Sequence, residues 1–407
     1  MSDDLIQYGL IEYRQHLREW LAEHLERYEG PDPDLDTHVT PERMAWARAT
    51  QATLHDAGYA GFTFPVELGG QGLTLAHEQA YREEIVGYDV PYRLFAVSIN
   101  ILGATIAQFG TPEQQRHVRA ILRGEELWLQ LLSEPSGGSD LAGLLTTAVR
   151  DGDEYVLNGS KTWSSMAHLA DFAICPVRTA WDVPKHRGIS VFLLDLRTPG
   201  IEIRQITEIT GESHFCEEFL TDAGTRASCL LGAENEGWSV LRGLLAIEHS
   251  WVGRGGAKRA DFRTDVDNLV DLAKERGVAD DVGVRRAVTR LHVALQAQRQ
   301  VSVRVSAGIA SDQLDHNMGG ALKIGNDAVF QRMAEAGLAI AGAAGVAWDP
   351  GDAHAAEAAT AYLTSRSAPI AGGTAEIVRN NVSEKVLGLP REHGPGRDTP
   401  FNEIPHN

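Results

Sequence analysis

Asp151–Ser165 reads DGDEYVLNGSKTWSS, and this stretch decides the fold. Asp151-Gly152 and Asn158-Gly159 are turn-forming dipeptides on either side of the apolar run Tyr155-Val156-Leu157, a pattern typical of a β-hairpin. Trp163 follows between hydroxyl side chains, which would place an aromatic face next to hydrogen-bond donors. A buried core position also favours Trp, so these residues alone leave both interpretations open.

A second segment with small residues lies upstream of this hairpin. Ser133–Asp140 reads SEPSGGSD, and its glycines allow backbone N–H groups to come close to a ligand. Such turns suit phosphates or carbonyl oxygens, but an ordinary polar turn has the same composition. The two segments together, flanking one hairpin, indicate a binding site more strongly than either does alone.

The rest of the chain is organised as a helical, a β and a second helical region. Helical periodicity, with Thr-Pro-Glu start signals at Thr40 and Thr111, dominates the first third. Strand-like runs follow Gly124, and long helical periodicity returns at Gly237. The predicted fold class is therefore α+β, mainly α: an N-terminal helical domain at 1–124, a central antiparallel β domain at 125–233 and a C-terminal helical bundle at 234–407.

Periodicity and turn signals also predict the individual elements. The predicted helices are Leu5–Tyr28, Glu42–Ala57, Leu75–Gly87, Tyr92–Phe109, Thr111–Leu122, Trp238–Lys274, Val282–Ser311, Ala321–Ala341 and Ala375–Leu387. The predicted strands are Leu127–Leu132, Thr146–Arg150, Phe172–Val177, Ile189–Leu194 and Ile201–Ile206.

Composition excludes several classes of function. The formal net charge is -19, which argues against nucleic acid as the main partner because phosphate binding needs clustered Lys and Arg. Hydrophobic residues make up 43% of the chain, enough for a substantial core, so wholesale disorder is excluded. An anionic small substrate stays possible, since local fields decide its binding.

Cysteine usage and apolar runs indicate a reducing, cytoplasmic setting. The three cysteines, Cys175, Cys216 and Cys229, are odd in number and lack CxxC spacing, so neither a disulfide framework nor a zinc site is expected. The histidines show no metal-binding spacing, and we expect no metal. No signal peptide and no uninterrupted apolar run long enough to cross a membrane is visible.

Four motifs, in order along nearly the whole chain, resemble the acyl-CoA dehydrogenase family. They are FPVELGGQG (Phe64–Gly72), QLLSEPSGGS (Gln130–Ser139), the Asp151–Ser165 hairpin, and IAGGTAEIVRNNVSEKVLGLP (Ile370–Pro390). The resemblance implies a helical N-terminal domain, a β domain and a C-terminal four-helix bundle, with FAD between the β domain and the bundle.

The resemblance also implies roles for individual residues. Trp163 is expected near the isoalloxazine ring and the Ser165 hydroxyl near flavin N5. The residues expected to line the flavin or the thioester are Gln130, Leu132, Ser133, Gly138 and Ser139. A neighbouring subunit completes the cofactor site in this family, and there Thr374 and Glu376 would lie by the FAD.

The α-proton base is expected to be Glu248. Many relatives carry a Glu before the Gly-Thr of the C-terminal signature, but this chain has Gly372 there. A second group of relatives places the base on the helix after the β domain, where Glu248 stands in an apolar run that would raise its pKa. His249 replaces the usual Arg and would tune Glu248 or meet CoA phosphates, although a structural role is equally open. Asp140 and Glu134 are lesser candidates for the base.

Two departures from the family pattern bear on assembly. The Arg of the usual RxxFG turn, which reaches the FAD pyrophosphate, corresponds to Arg276, but the Phe-Gly is absent. A Gln that usually precedes a later glycine-rich turn is also absent near Gly342. The pattern better resembles actinobacterial members acting on bulky acyl-CoAs, including steroid side chains, some of which are α2β2 heteromers. Both a homo-oligomer and an α2β2 assembly with a paralogous chain remain open.

The leading hypothesis is FAD-dependent α,β-dehydrogenation of an acyl-CoA, with an electron-transfer flavoprotein as the acceptor. Three alternatives stay open: a partner subunit without chemistry of its own, a flavin oxidase or monooxygenase on the same fold, and a dehydrogenase acting on an acyl group carried by a carrier protein.

Overall fold

The computed structural model describes residues 3–29, 39–253, 266–347, 351–391 and 398–405. The chain divides into two compact units, residues 1–259 with 395–407 and residues 260–394. The first unit contains helices followed by a β-sheet and one more helix, and the second is helical, so the predicted fold class, α+β and mainly α, is confirmed. The domain boundaries at 124 and 233 stay predictions.

Among the described residues of the first unit, seven α-helices precede or follow the strands along the chain. They are α1 (Asp3–His24), α2 (Pro41–Asp56), α3 (Leu75–Glu84), α4 (Tyr92–Val97), α5 (Ala104–Phe109), α6 (Pro112–Leu122) and α7 (Gly237–Gly253). Thr40 caps α2 by accepting from the N–H of Arg43, and Thr111 forms a capping box with Gln114 at the start of α6. The start signals at both threonines are thus confirmed.

The predicted helix Tyr92–Phe109 is continuous but not uniform. A π-helical segment, Ser98–Gly103, joins α4 to α5. The whole stretch is long and apolar enough to cross a membrane by length and composition. Half of it is buried within this unit, and Ile101, Leu102 and Ile106 belong to a core that includes Leu241 and Leu244 of α7. Its burial is that of a core helix.

Seven strands of the described residues form one sheet. They are β1 (Trp128–Gln130), β2 (Thr147–Asp151), β3 (Glu154–Ser165), β4 (Phe172–Arg178), β5 (Ile189–Asp195), β6 (Ile201–Gln205) and β7 (Phe215–Arg226). The order is β1-β4-β2-β3-β7-β6, with β5 pairing β4. The β1–β4 and β2–β4 pairings are parallel and the others antiparallel. One apolar core packs on Leu157, Cys175, Phe192 and Leu220.

The sheet differs from the predictions at two places, one an omitted strand and one a wrong turn. Strand β7 was not predicted, although it pairs with both β3 and β6. Asn158-Gly159 is not a turn: it lies inside β3, where the register with β7 shifts between Leu157 and Gly159. A Cβ at Gly159 would come within 2.6 Å of Thr146 Oγ1, so close strand packing explains this glycine. The Asp151-Gly152 turn of the β2–β3 hairpin is confirmed.

The second unit is built from helices around its own core. They are α8 (Val266–Glu275), α9 (Val282–Ala310), α10 (Gly319–Ala341), α11 (Ala343–Ala347), α12 (Ala353–Thr364) and α13 (Ala375–Asn381). Leu269, Leu291, Met333 and Ala358 are among the residues that bring α8, α9, α10 and α12 together. Helix α12 was not predicted. The predicted helix Trp238–Lys274 is represented by α7 and α8, and residues 254–265 lie outside the described residues. The predicted helix Ala375–Leu387 is α13 followed by a π-helical turn, Val382–Val386.

Candidate active site

A β-bulge in strand β3 presents Trp163 on the surface of the first unit. The β3–β7 register shifts between Thr162 and Ser164, which leaves Trp163 as the extra residue, with φ of 65°. Its side chain is 58% exposed and meets Phe215 edge-on, with ring centroids 5.9 Å apart. Ser165 is exposed as well. An indole held outward by strained backbone is a ready face for a flat ring.

The two glycine- and serine-containing segments of the sequence lie next to each other. The N–H of Thr162 donates to the Ser133 carbonyl, 3.0 Å away, which places the start of the Ser133–Asp140 segment beside the bulge. Glu134 and Gly137 exchange two backbone hydrogen bonds of 3.0 Å, so the segment is a tight turn. The structure thus brings Ser133 and Trp163 into one region of the surface.

The remaining residues of this turn differ in exposure. Gly138 and Ser139 are exposed, whereas Leu132 and Ser133 are half-buried. A Cβ at Gly138 would stand 3.4 Å from Ser133 Oγ, which is tight but tolerable. Asp140 is exposed and pairs with Lys185 Nζ at 2.6 Å, so its carboxylate is engaged locally.

Beneath the turn lies a fully buried ion pair. Lys161 Nζ donates to Glu134 Oε1 and to the Pro176 carbonyl, each at 2.8 Å. Glu134 also accepts from the N–H groups of Leu145 at 2.6 Å and Thr146 at 3.0 Å. Burial acts to raise the pKa of Glu134, but Lys161 and these donors hold that pKa below its ordinary value. Glu134 is therefore a structural carboxylate and a poor proton acceptor.

Glu248 lies on the buried side of helix α7. It shares a helical stripe with the core residues Leu241, Leu244 and Trp251, at spacings of three and four residues. The half-buried Glu248 carboxylate accepts from Gln130 Nε2 at 3.3 Å. Burial raises the pKa of Glu248, and the Gln130 hydrogen bond and His249 oppose that rise. A carboxylate of raised pKa beside an apolar surface is the environment of a general base.

Gln130 connects this carboxylate to the sheet. It ends strand β1, and its side-chain Oε1 is buried with no hydrogen-bond partner among the described residues. A buried acceptor without a donor is destabilising unless a ligand or water supplies one. His249, one residue beyond Glu248, is exposed.

The three remaining predicted site residues belong to the second unit. Arg276 follows α8 and is hydrogen-bonded to Asp352, so its guanidinium already has a carboxylate partner. Thr374 caps α13 by accepting from the N–H of Ile377 at 3.2 Å, and Glu376 stands exposed in the first turn. The preceding Gly372 and Gly373 both have positive φ, a backbone conformation that favours glycine.

Comparison with known proteins decides the family. Models of the N-terminal, middle and C-terminal domains of acyl-CoA dehydrogenases match residues 11–125, 130–222 and 235–387. The acyl-CoA dehydrogenase IpdE1 of Mycobacterium tuberculosis is 36% identical over 387 residues, covering 94% of this chain and 98% of that protein. The chain belongs to the acyl-CoA dehydrogenase family. It is therefore an oxidoreductase acting on acyl-CoA, and the family implies FAD as its cofactor.

Two further acyl-CoA dehydrogenases show the extent of the similarity. FadE34 of Mycobacterium tuberculosis is 33% identical over 376 residues, covering 92% of this chain and 51% of that longer protein. The solved structure "Tcur3481-Tcur3483 steroid ACAD" matches with a TM-score of 0.78 and 28% identity, covering 95% of this chain and 98% of that one.

The residues of the first unit fit a flavin. The exposed face of Trp163 offers a surface for stacking, and the neighbouring Ser165 hydroxyl offers a hydrogen-bond donor. Gln130 Oε1 offers a hydrogen-bond acceptor that has no partner among the described residues. Among the described residues no group of three or more His, Cys, Asp or Glu is arranged to hold a metal ion.

Proposed function

We propose that this chain is an FAD-dependent dehydrogenase that oxidises the α and β carbons of an acyl-CoA, with Glu248 as the α-proton base. The observation that carries the proposal is the half-buried Glu248 carboxylate on the core stripe of α7, hydrogen-bonded to Gln130 at 3.3 Å. Its raised pKa brings it nearer to that of a thioester-activated α carbon, as general-base catalysis requires.

The chain's own residues divide the remaining tasks. Gln130 orients the base, while the Ser133–Ser139 turn and Leu132 border the thioester and the flavin. Trp163 and Ser165 hold the flavin ring at its face and edge, and Ser139 and His249 contact the substrate. When bound, FAD supplies the acceptor for the β hydrogen and its electron pair. An electron-transfer flavoprotein is the proposed final acceptor.

The assembly is proposed to include a second chain. The solved steroid acyl-CoA dehydrogenase Tcur3481-Tcur3483 is named as a pair of chains, and this chain has Gly372 where the family resemblance leads us to expect a base in many members. Thr374, Glu376 and Arg276 would then contact FAD at the site of a neighbouring subunit, with Arg276 first leaving Asp352. Bulky, ring-bearing acyl groups are the proposed substrates, from the same relative.

The experiment that tests this function is anaerobic addition of acyl-CoA thioesters to the purified yellow protein. Straight-chain, branched and steroid-derived acyl-CoAs are expected to differ, with ring-bearing thioesters bleaching the flavin absorbance fastest. Thioesters of the same acyl groups on a carrier protein are tested in parallel. The rates at which oxygen and electron-transfer flavoprotein reoxidise the reduced flavin are also compared. Absence of bleaching by every thioester, with FAD bound and a paralogous chain present, would overturn the proposal.

Trp163→Ala is expected to weaken FAD binding roughly tenfold, because an aromatic pair contributes about 0.5–1.5 kcal/mol beyond area burial and ~1.4 kcal/mol is tenfold. Trp163→Phe retains an aromatic face and serves as the matched control. Titration of the full chain with FAD, followed by quenching of flavin fluorescence, measures both. Equal affinity for Trp163→Ala and wild type would remove Trp163 from the flavin site.

A further inference from the structure

A second buried carboxylate lies directly behind the bulge and takes no part in the proposed chemistry. Glu218 on β7 has no exposed surface, and its Oε2 accepts from Ser164 Oγ at 3.0 Å. Its other oxygen, Oε1, is buried with no hydrogen-bond partner among the described residues. Ser164 is the residue that follows Trp163, so this hydrogen bond fixes the C-terminal side of the bulge.

The charges around Glu218 do not balance if it is ionised. Lys161 lies opposite Glu218 in the β3–β7 register, and its ammonium is already bonded to Glu134 and the Pro176 carbonyl. Two buried carboxylates therefore share one buried ammonium. Glu134 has the ion pair and two backbone donors, whereas Glu218 has one hydroxyl donor. The proton that balances this cluster belongs on Glu218.

The other groups facing Glu218 do not change this assignment. Cys175 on β4 and Cys216 on β7 are buried thiols, and Glu217 beside it adds a like charge. Ile203 of β6 lies opposite it across the strand pair. Burial raises the pKa of Glu218 to about 7, against the opposing effects of Ser164 and Lys161.

We propose that Glu218 is a positioning residue: it fixes the Trp163 bulge through its hydrogen bond with Ser164, and the position of the bulge changes when the Glu218 carboxyl loses its proton. This inference rests on the proposed flavin site. Below neutral pH the cluster is balanced and the bulge is held as the structure describes it. Above neutral pH an uncompensated buried charge lies behind Trp163 and Ser165. FAD affinity is then expected to fall, because FAD carries negatively charged phosphates and would bind against the bulge that the new negative charge disturbs. Since coupling is reciprocal, bound FAD would in turn favour the protonated form of Glu218.

The first test needs no bound flavin. The full chain is labelled with 5-fluorotryptophan, and the Trp163 resonance among the eight tryptophans is assigned by its loss in Trp163→Phe. We expect this resonance to titrate with a midpoint near pH 7, as the shifted carboxyl requires. In Glu218→Gln, which retains an acceptor for Ser164 but cannot ionise, the titration is expected to disappear. A resonance that titrates alike in both proteins, or in neither, would overturn the inference.

Ser164→Ala provides a second variant if Glu218→Gln fails to fold. It leaves the Glu218 carboxyl in place and removes the hydrogen bond from Ser164 Oγ, so the Trp163 resonance is expected no longer to shift as Glu218 titrates. A wild-type titration in Ser164→Ala would show that Glu218 does not act through Ser164, and would overturn the positioning role.

FAD titrations at different pH separate this inference from the proposed function. We expect the Kd of wild type to rise roughly five- to tenfold between pH 6 and pH 8, at the low end of the about 5- to 150-fold that is typical of coupling between two sites, and to stay flat in Glu218→Gln. Binding of FAD with the same pH dependence in both proteins contradicts the Glu218 role alone. Failure of every protein to bind FAD contradicts the proposed function, while the fluorotryptophan titration still decides the role of Glu218.

Discussion

Glu248→Gln is expected to slow flavin reduction by acyl-CoA roughly a thousandfold while FAD stays bound, since a positioned general base contributes about 10²–10⁴-fold. The amide preserves the size of the side chain but cannot accept the α proton. Glu248 lies on the helical stripe of Leu241, Leu244 and Trp251, so the amide would occupy the same side of α7 without offering a carboxylate. Anaerobic stopped-flow measurement of flavin absorbance gives the rate.

The matched control is Glu236→Gln, an exposed glutamate directly before helix α7. We expect it to reduce its flavin at the wild-type rate. If Glu248→Gln also reduces at that rate, another group is the base. If it loses FAD, the side chain has a structural role that the rate does not measure.

The same base predicts the pH profile. Burial raises the pKa of Glu248, so the carboxylate form that accepts a proton is present only above that raised value. The rate of flavin reduction is therefore expected to rise with pH and reach a plateau once Glu248 is ionised. A rate that falls across the acidic range as pH rises would contradict a carboxylate base.

Short sequence signals predicted helix starts correctly where the residues that fix the start are close together in the chain. The Thr-Pro-Glu start signals located the first turns of α2 and α6, because the capping bonds join residues three apart. Strand β7 was not predicted because its local sequence pattern is misleading. Its inward positions include Glu218, and a carboxylate at a buried position hides the alternation of apolar residues that marks a strand.

The candidate site residues could be predicted only where the sequence resembles the family. Glu248 and Trp163 follow from matching motifs, and the structure adds the helical stripe and the bulge that explain their environments. The contacts of Glu134 with Lys161 and of Ser164 with Glu218 join residues 27 and 54 positions apart. Strand pairing creates these contacts, and no local pattern encodes that pairing.

Breaking the buried Glu134–Lys161 pair is the second large effect expected. Glu134→Gln leaves the Lys161 ammonium, which has no exposed surface, hydrogen-bonded to the Pro176 carbonyl and a neutral amide, and Glu218 across the strand pair is the carboxyl that remains beside it. Removing one partner of a buried pair lowers the free energy of unfolding by about 3–5 kcal/mol. Urea unfolding followed by circular dichroism measures the loss, and Glu202→Gln, which breaks the exposed Glu202–Arg204 pair, is the control expected to unfold like wild type.

A double variant distinguishes the ion pair from simple loss of packing. Glu134→Gln combined with Lys161→Met removes both charges, so it is expected to be more stable than the sum of the two single losses predicts. Strict additivity would mean that the two side chains stabilise the sheet independently of each other.

The stability contributed by this ion pair is expected to depend on pH in the direction that a lowered carboxyl pKa dictates. Because folding lowers the pKa of Glu134, its stabilising contribution is complete above the ordinary carboxyl range and is lost as pH falls through the lowered value. The stability difference between wild type and Glu134→Gln is thus expected to be largest near neutral pH and to shrink in acid. The same pair joins the Ser133–Asp140 turn to strand β3, so acid is expected to loosen the surface proposed to bind flavin before it unfolds the sheet.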